Sequence, residues 1–154
     1  MTMFELVLLA AALLCALVAG FLFAFAVVVM PGIGKLDDEG FLRAFQLIDG
    51  VIQRGQPLFG LVWVGSVVAV AVAAFWGLWA LAGLDRVMVV LAAIVYFAGV
   101  QVPTVIVNIP LNNRVQRGEA TRAEFEPRWN RWNVLRAACA SLSALLLLWV
   151  LVLT

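Results

Sequence analysis

The sequence predicts an all-α integral membrane four-helix bundle with a cytoplasmic amphipathic helix between the first and second spans, and three observations carry that prediction. Hydrophobic residues make up 66% of the 154 positions and charged residues only 12%, against roughly 25% charged in a soluble domain. Four apolar runs, at about 4–30, 57–81, 87–107 and 133–153, are each long enough to cross a hydrocarbon core of about 30 Å. Lys and Arg are placed asymmetrically: Lys35, Arg43, Arg54, Arg114, Arg117, Arg122, Arg128, Arg131 and Arg136 fall on one side of the runs, and only Arg86 on the other. Cytoplasmic connections collect positive residues, so both long connections are expected in the cytoplasm and both termini outside. One transmembrane domain over 1–154 leaves no room for a separate soluble one.

The first run starts at Phe4 with no Lys or Arg before it and exceeds a signal-peptide core, so it reads as a retained span. Ala12, Ala16, Gly20 and Ala24 recur every fourth residue along it, as do Gly65, Ala69, Ala73 and Gly77 in the second span. Lipid gives helices no hydrophobic reward for meeting, and small-residue stripes let backbones approach closely, so both stripes read as packing. The amphipathic helix is expected over about 37–54: Asp37 or Asp38 can cap it, and Phe41, Phe45, Ile48 and Ile52 recur at helical spacing among Arg43, Gln46, Gln53 and Arg54. Pro57 marks the start of the second span, and "AGLDR" makes a tight turn into the third.

The third span carries Tyr96, Gln101, Thr104 and Asn108, with Pro103 and Pro110 interrupting the backbone and freeing the carbonyls of Gly99 and Ile106. Gln101, Thr104 and Asn108 stand at i, i+3 and i+7 and give one polar face. The span is expected to end in "NIPLNN", with Asn108 and Asn112 turned inward and Asn113 capping toward solvent. In "RWNRWNVLR", Trp129, Trp132, Asn133 and Arg136 fall at i, i+3, i+4 and i+7 of the fourth helix, one stripe of two indoles, an amide and a guanidinium. An aromatic belt with snorkelling Arg is the competing reading, but a belt asks nothing of Asn133.

Both polar stripes lie at one membrane face, since one helix enters the cytoplasm where the other returns. A pocket is therefore expected there, with Arg136, Asn108 and Asn133 as its chemical groups. Trp129, Trp132, Asn112, Gln101, Thr104 and Gln46 would bind substrate, and the amphipathic helix would roof the pocket and bring Gln46, Asp49 or Gln53. There is no His, the commonest metal ligand and general base. Cys15 and Cys139 sit in different apolar runs as small hydrophobes. Nothing resembles a nucleophile beside a base, a phosphate-binding loop or a transition-metal ligand set, and a net charge of +1 gives no sign of nucleic acid. What remains is a flat cavity suited to a planar polycycle, in which Arg136 and amide N–H groups could stabilise an enolate or phenolate oxygen. The alternative is a non-enzymatic membrane module, binding lipid or quinone or serving as a small subunit of a larger complex.

Taken together and in order, "VMPGIGKLDDEGFLRAFQLID", "NIPLNN" and "WNRWNVLR" resemble the small four-helix membrane proteins of the anthrone oxygenase family, formerly a domain of unknown function. The resemblance runs from about Met30 to Arg136 and matches Asn108, Pro110, Asn112, Trp129, Trp132, Asn133 and Arg136; Asp49 stands where related chains are expected to carry Asn. It implies an oxygenase of the bacterial inner (plasma) membrane that needs no metal or flavin and converts an anthrone carbon to a quinone carbonyl. The expected partners are a small hydrophobic or aromatic molecule and membrane lipids, with no nucleic acid and a possible homo-oligomer. In this scheme the pocket eases proton removal from an activated ring carbon, Arg136 and the amides hold the enolate, and the anion reacts with oxygen. Asp49, Tyr96 and the substrate's own acidity are left as sources of the base.

Overall fold

The protein's computed structural model describes residues 1–153, which form five helices and no strand. We label them α1 (Met3–Ile33), α2 (Asp38–Gln53), α3 (Pro57–Ala80), α4 (Gly83–Gln116) and α5 (Arg122–Leu153). All except α2 are long and apolar enough to cross a membrane. The four spans close a ring in which α1 packs between α3 and α5, and α4 completes the circuit between the same two helices. Their shared core is small and branched: Leu8, Ala12, Val18, Val70, Ala92, Val100, Ala140 and Leu147 are all buried.

Local chemistry fixes the helix ends. Thr2 and Glu5 make a reciprocal capping box at the start of α1, at 2.9 and 3.2 Å. Asp37, rather than Asp38, caps α2 by accepting the Gly40 N–H at 2.9 Å. Pro57 opens α3 behind a Gln56 cap. At the end of α4, the N–H groups of Gly118 and Glu119 reach back to the carbonyls of Val115 and Arg114. That Schellman arrangement needs Gly118 at φ +70°. Beyond it, a hydrogen bond from Arg117 holds the Glu119 carboxyl below the ordinary carboxylate range.

The spans extend past their apolar runs. Helix α4 does not stop near 107 but continues to Gln116, and α5 begins at Arg122 rather than 133. Hydropathy marks where lipid-compatible side chains end, whereas the helices run on because α2 covers their projecting turns. Helix α2 is tucked against the ends of α1, α4 and α5. Its buried face is Phe41, Phe45, Asp49 and Gly50, with Ile48 and Ile52 only half-buried at the edges, so a carboxylate sits on the stripe that the sequence pattern assigns to aromatics and isoleucines.

The prolines widen the helices instead of breaking them. Three π-helical segments, Phe25–Val29, Phe97–Gln101 and Thr104–Asn108, each end two residues before a proline: Pro31, Pro103 and Pro110. A proline ring collides with the carbonyl four residues back; those carbonyls belong to Val27, Gly99 and Ile106, all inside the wide turns, where bonding has shifted to i→i+5, as in Val102 N–H to Phe97 O and Ile109 N–H to Thr104 O.

The small-residue stripes pack only in part. Ala12, Ala73 and Gly77 are buried, and a Cβ on Gly65 would stand 3.5 Å from Leu14, but Ala16 and Gly20 face outward. Gly99 allows the closest approach: a Cβ there would collide with the Cys139 Sγ, and both cysteines are free thiols.

Candidate functional site

At the end of the bundle that α2 covers lies a cavity of about 190 Å³. Every helix contributes to it: Phe21 and Phe25 from α1, Phe45, Asp49 and Ile52 from α2, and Phe59 and Trp63 from α3. Helix α4 supplies Thr104, Asn108, Ile109 and Asn112, and α5 supplies Trp129, Asn133 and Arg136. The aromatic walls are knit by edge and stacked contacts, with Phe21 and Phe59 at 5.1 Å, Phe59 stacked on Trp63 at 5.4 Å, and Trp129 within 5.4 to 5.6 Å of Phe45 and Phe25. Such faces favour a flat ring.

Two polar clusters interrupt the apolar lining. At the inner end, Arg136 is 4% exposed and bonds only neutral partners, the Thr104 hydroxyl at 3.1 Å and the Asn133 carbonyl oxygen at 3.0 Å. Asn133 in turn donates to the Leu22 carbonyl at 2.9 Å, and Thr104 donates to the Val100 carbonyl at 2.7 Å. The guanidinium also stands 5.8 Å from the Trp129 ring centroid. At the roof, Asn112 joins α2 to α5: its amide nitrogen donates to Asp49 at 2.8 Å, and its oxygen accepts the Trp129 indole N–H at 2.7 Å. Asp49 accepts two further bonds, from Gln53 at 2.6 Å and Gln116 at 3.0 Å.

Between the clusters sits Asn108, 2% exposed, with neither amide atom hydrogen-bonded; the Nε of Arg136 is likewise unpartnered. Buried polar groups are nearly always bonded, and an unsatisfied one costs about 1–3 kcal/mol. Asn108 thus holds an unspent donor pair and an unspent acceptor in the cavity wall.

Six of the nine site residues expected from the sequence, Arg136, Asn108, Asn133, Trp129, Asn112 and Thr104, line this cavity. The other three do not. Trp132 is half-buried on the neighbouring face of α5, beside Arg131 and Leu135: at 100° per residue the inward stripe is Trp129, Asn133, Arg136, and Trp132 falls at its edge. Gln101 stands behind the wall, where its oxygen accepts the Trp63 indole N–H at 3.1 Å. Gln46 is spent on docking α2, donating to the Val115 carbonyl at 2.6 Å while its own carbonyl accepts from Gln116 at 3.1 Å. Asn113 is half-buried beside Gln53 at 3.4 Å rather than capping a helix end, since α4 continues past it. Tyr96 lies deeper in the bundle with its hydroxyl 2.5 Å from Ser66, off the cavity.

The aromatic wall from α1 and α3 has no distinct signal in the sequence. Phe21 with Phe25, and Phe59 with Trp63, are i, i+4 pairs that could have been read as two faces turned to one space, but in apolar spans they carry no contrast against their neighbours.

The anthrone oxygenase family matches this chain over residues 49–146, from the carboxylate on α2 through Arg136 and about three further turns of α5. The matched range holds both polar clusters but leaves out α1, Phe45 and most of "VMPGIGKLDDEGFLRAFQLID". No curated protein and no solved structure matches the chain. With nearly two thirds of its length matched, including every polar residue that lines the cavity, the chain belongs to the anthrone oxygenase family.

Proposed function

We propose that the protein is a membrane-embedded oxygenase that converts an activated ring carbon of a planar, enolisable aromatic substrate to a carbonyl, using dioxygen and no bound metal or flavin. The observation that carries this reading is Asn108: a buried amide with both atoms unpartnered, between a guanidinium and aromatic faces. An unspent donor and acceptor in an apolar slot suit a flat molecule with an oxygen on its edge. The reaction balances as CH2 plus O2 giving C=O plus water. Loss of a ring proton leaves the electron pair delocalised onto the substrate oxygen, where Arg136 and the Asn108 amide N–H stabilise the charge. The electron-rich ring then supplies the electrons that reduce oxygen, so the protein needs only to bind, orient and polarise.

Family membership supports the reaction class, and the cavity supports the residues. The side of the membrane is part of the same reading, with the α2-covered end in the cytoplasm and both termini outside, in a bacterial inner membrane; the bias of nine of the ten Lys and Arg residues to that end and its connections supports the sidedness. The test is purified protein in lipid nanodiscs given anthrone under air, with quinone formation followed by absorbance. Turnover above buffer that falls at least 100-fold in Arg136→Ala is the expected result; a wild-type rate equal to buffer refutes the reading.

A further inference from the structure

We propose that Asp49 is the base that removes the ring-carbon proton, with Arg136 at the far end of the same cavity facing the oxygen on which the charge collects. This rests on the oxygenase reading above and adds the group that it leaves unassigned, a carboxylate particular to this chain at a position where related chains are expected to carry Asn.

Asp49 is the one carboxylate among the residues lining the cavity, and it is 5% exposed. None of the ion pairs found among the described residues includes it or Arg136. A buried carboxylate without a cationic partner is costly, and this one is held in the cavity wall by neutral amides, while the guanidinium on that wall is bonded to Thr104 and Asn133. The separation follows from the bonds. Asp49 is tied to Asn112, and Arg136 to Thr104; those two α4 residues are eight positions apart, on the order of 10 Å along the axis at ~1.5 Å per residue. The two charges therefore cannot pair. One six-membered ring, with a proton-transfer contact at one side and a hydrogen bond at the other, fills about that span.

The bonds also set how Asp49 can act. A carboxylate offers roughly four acceptor sites. Gln53 and Gln116 occupy Oδ2, and Asn112 takes one position on Oδ1, leaving the remaining Oδ1 position for a proton. The three amides hold the side chain in one orientation while donating to it, and Asn112 is itself fixed by the Trp129 indole. In the reaction, the C–H bond breaks, Oδ1 takes the proton, and the electron pair stays in the ring system as an enolate whose oxygen faces Arg136. Dioxygen adds at that carbon, the protonated Asp49 returns its proton to the bound peroxide, and loss of the second C–H hydrogen with cleavage of the O–O bond releases water and leaves the carbonyl. The substrate class that this selects has its acidic C–H and its carbonyl on opposite sides of one ring.

Proton removal can be observed apart from oxygenation. Protein in nanodiscs would be given anthrone in D2O under nitrogen, with methylene exchange followed by NMR, and oxygen admitted afterwards; binding would be read from Trp fluorescence. Wild type should speed exchange over buffer, and Asp49→Asn should slow both exchange and oxygenation by 100-fold or more with anthrone binding changed less than about threefold. Asp49→Glu, which keeps an acceptor, should recover part of both rates. Asp49→Asn and Asp49→Glu with wild-type exchange would overturn the assignment while leaving the oxygenase reading intact, as would rates that fall only in step with binding, which would make Asp49 an anchor for α2. A wild-type protein that binds anthrone yet neither exchanges nor oxidises it overturns the oxygenase reading, and this inference with it.

Discussion

Asn108, Asn133 and Asn113 are chemically the same side chain in three different situations, and their substitutions should separate accordingly. Asn133 spends its amide on the Leu22 carbonyl and the Arg136 guanidinium, so Asn133→Ala strands two buried partners and should lower stability by about 1–3 kcal/mol along with activity. Asn108 bonds nothing. Its removal should weaken binding of a planar enolisable ring about tenfold while leaving thermal stability unchanged or slightly raised, which a melting curve with and without anthrone would read. Asn113→Ala should change neither; equal effects of the Asn108 and Asn113 changes on binding would deprive Asn108 of its role. The sequence picked out Asn108 and Arg136 because polar groups are rare at membrane depth. It could not distinguish Gln101 and Gln46 from them, since an amide that holds Trp63 or the Val115 carbonyl looks the same in one dimension as an amide that faces a ligand.

At the scale of elements, two contacts decide whether the cavity keeps its shape. The first is the crossing of α4 and α5 at Gly99 and Cys139. Gly99→Ala should cost about 1–3 kcal/mol by overpacking, because its Cβ would meet both the Sγ and the Cβ of Cys139, and Cys139→Ala in the same chain, which removes the Sγ and keeps the Cβ, should restore only part of the loss, which paired melting curves of the single and double variants would show. The second is the docking of α2, held by Gln46, Gln116 and Asp49 as well as by Phe41 and Phe45 against Phe125. Gln46→Ala should loosen the roof without touching the cavity wall, raising amide exchange in 38–53 more than in α3 and weakening anthrone binding modestly. The extent of α2 was legible from its Asp cap and apolar spacing. The inward carboxylate was legible only in part: Asp49 follows Phe45 by four residues and is one of three polar residues expected at the roof, but spacing alone does not separate it from Gln46 and Gln53.

For the whole molecule, the bundle itself was legible because lipid admits so few alternatives: each apolar run must be a helix with its own backbone satisfied, and four of them in one short chain must pack together. Their ends were less so, since the runs stop at the lipid boundary and the helices do not. Orientation can be checked directly. With Cys15 buried and Cys139 half-buried within the spans, Thr2→Cys should react with an impermeant maleimide on intact cells, and Glu119→Cys only after the cells are opened; the reverse pattern would invert the assignment of sides.

The wide turns before Pro31, Pro103 and Pro110 have a consequence for how the chain can change over time. An i→i+5 turn takes up one residue more than a regular turn, so each such segment behaves as a length reservoir within an otherwise continuous helix. Losing a single residue from Thr104–Asn108 would let the turn relax to i→i+4 and keep Thr104 and Asn112 on one side of α4, whereas losing one from Gly83–Tyr96 would swing every downstream side chain by about 100°. Single-residue gaps among related chains should therefore collect just ahead of these prolines, with the spacing of the polar residues on either side preserved.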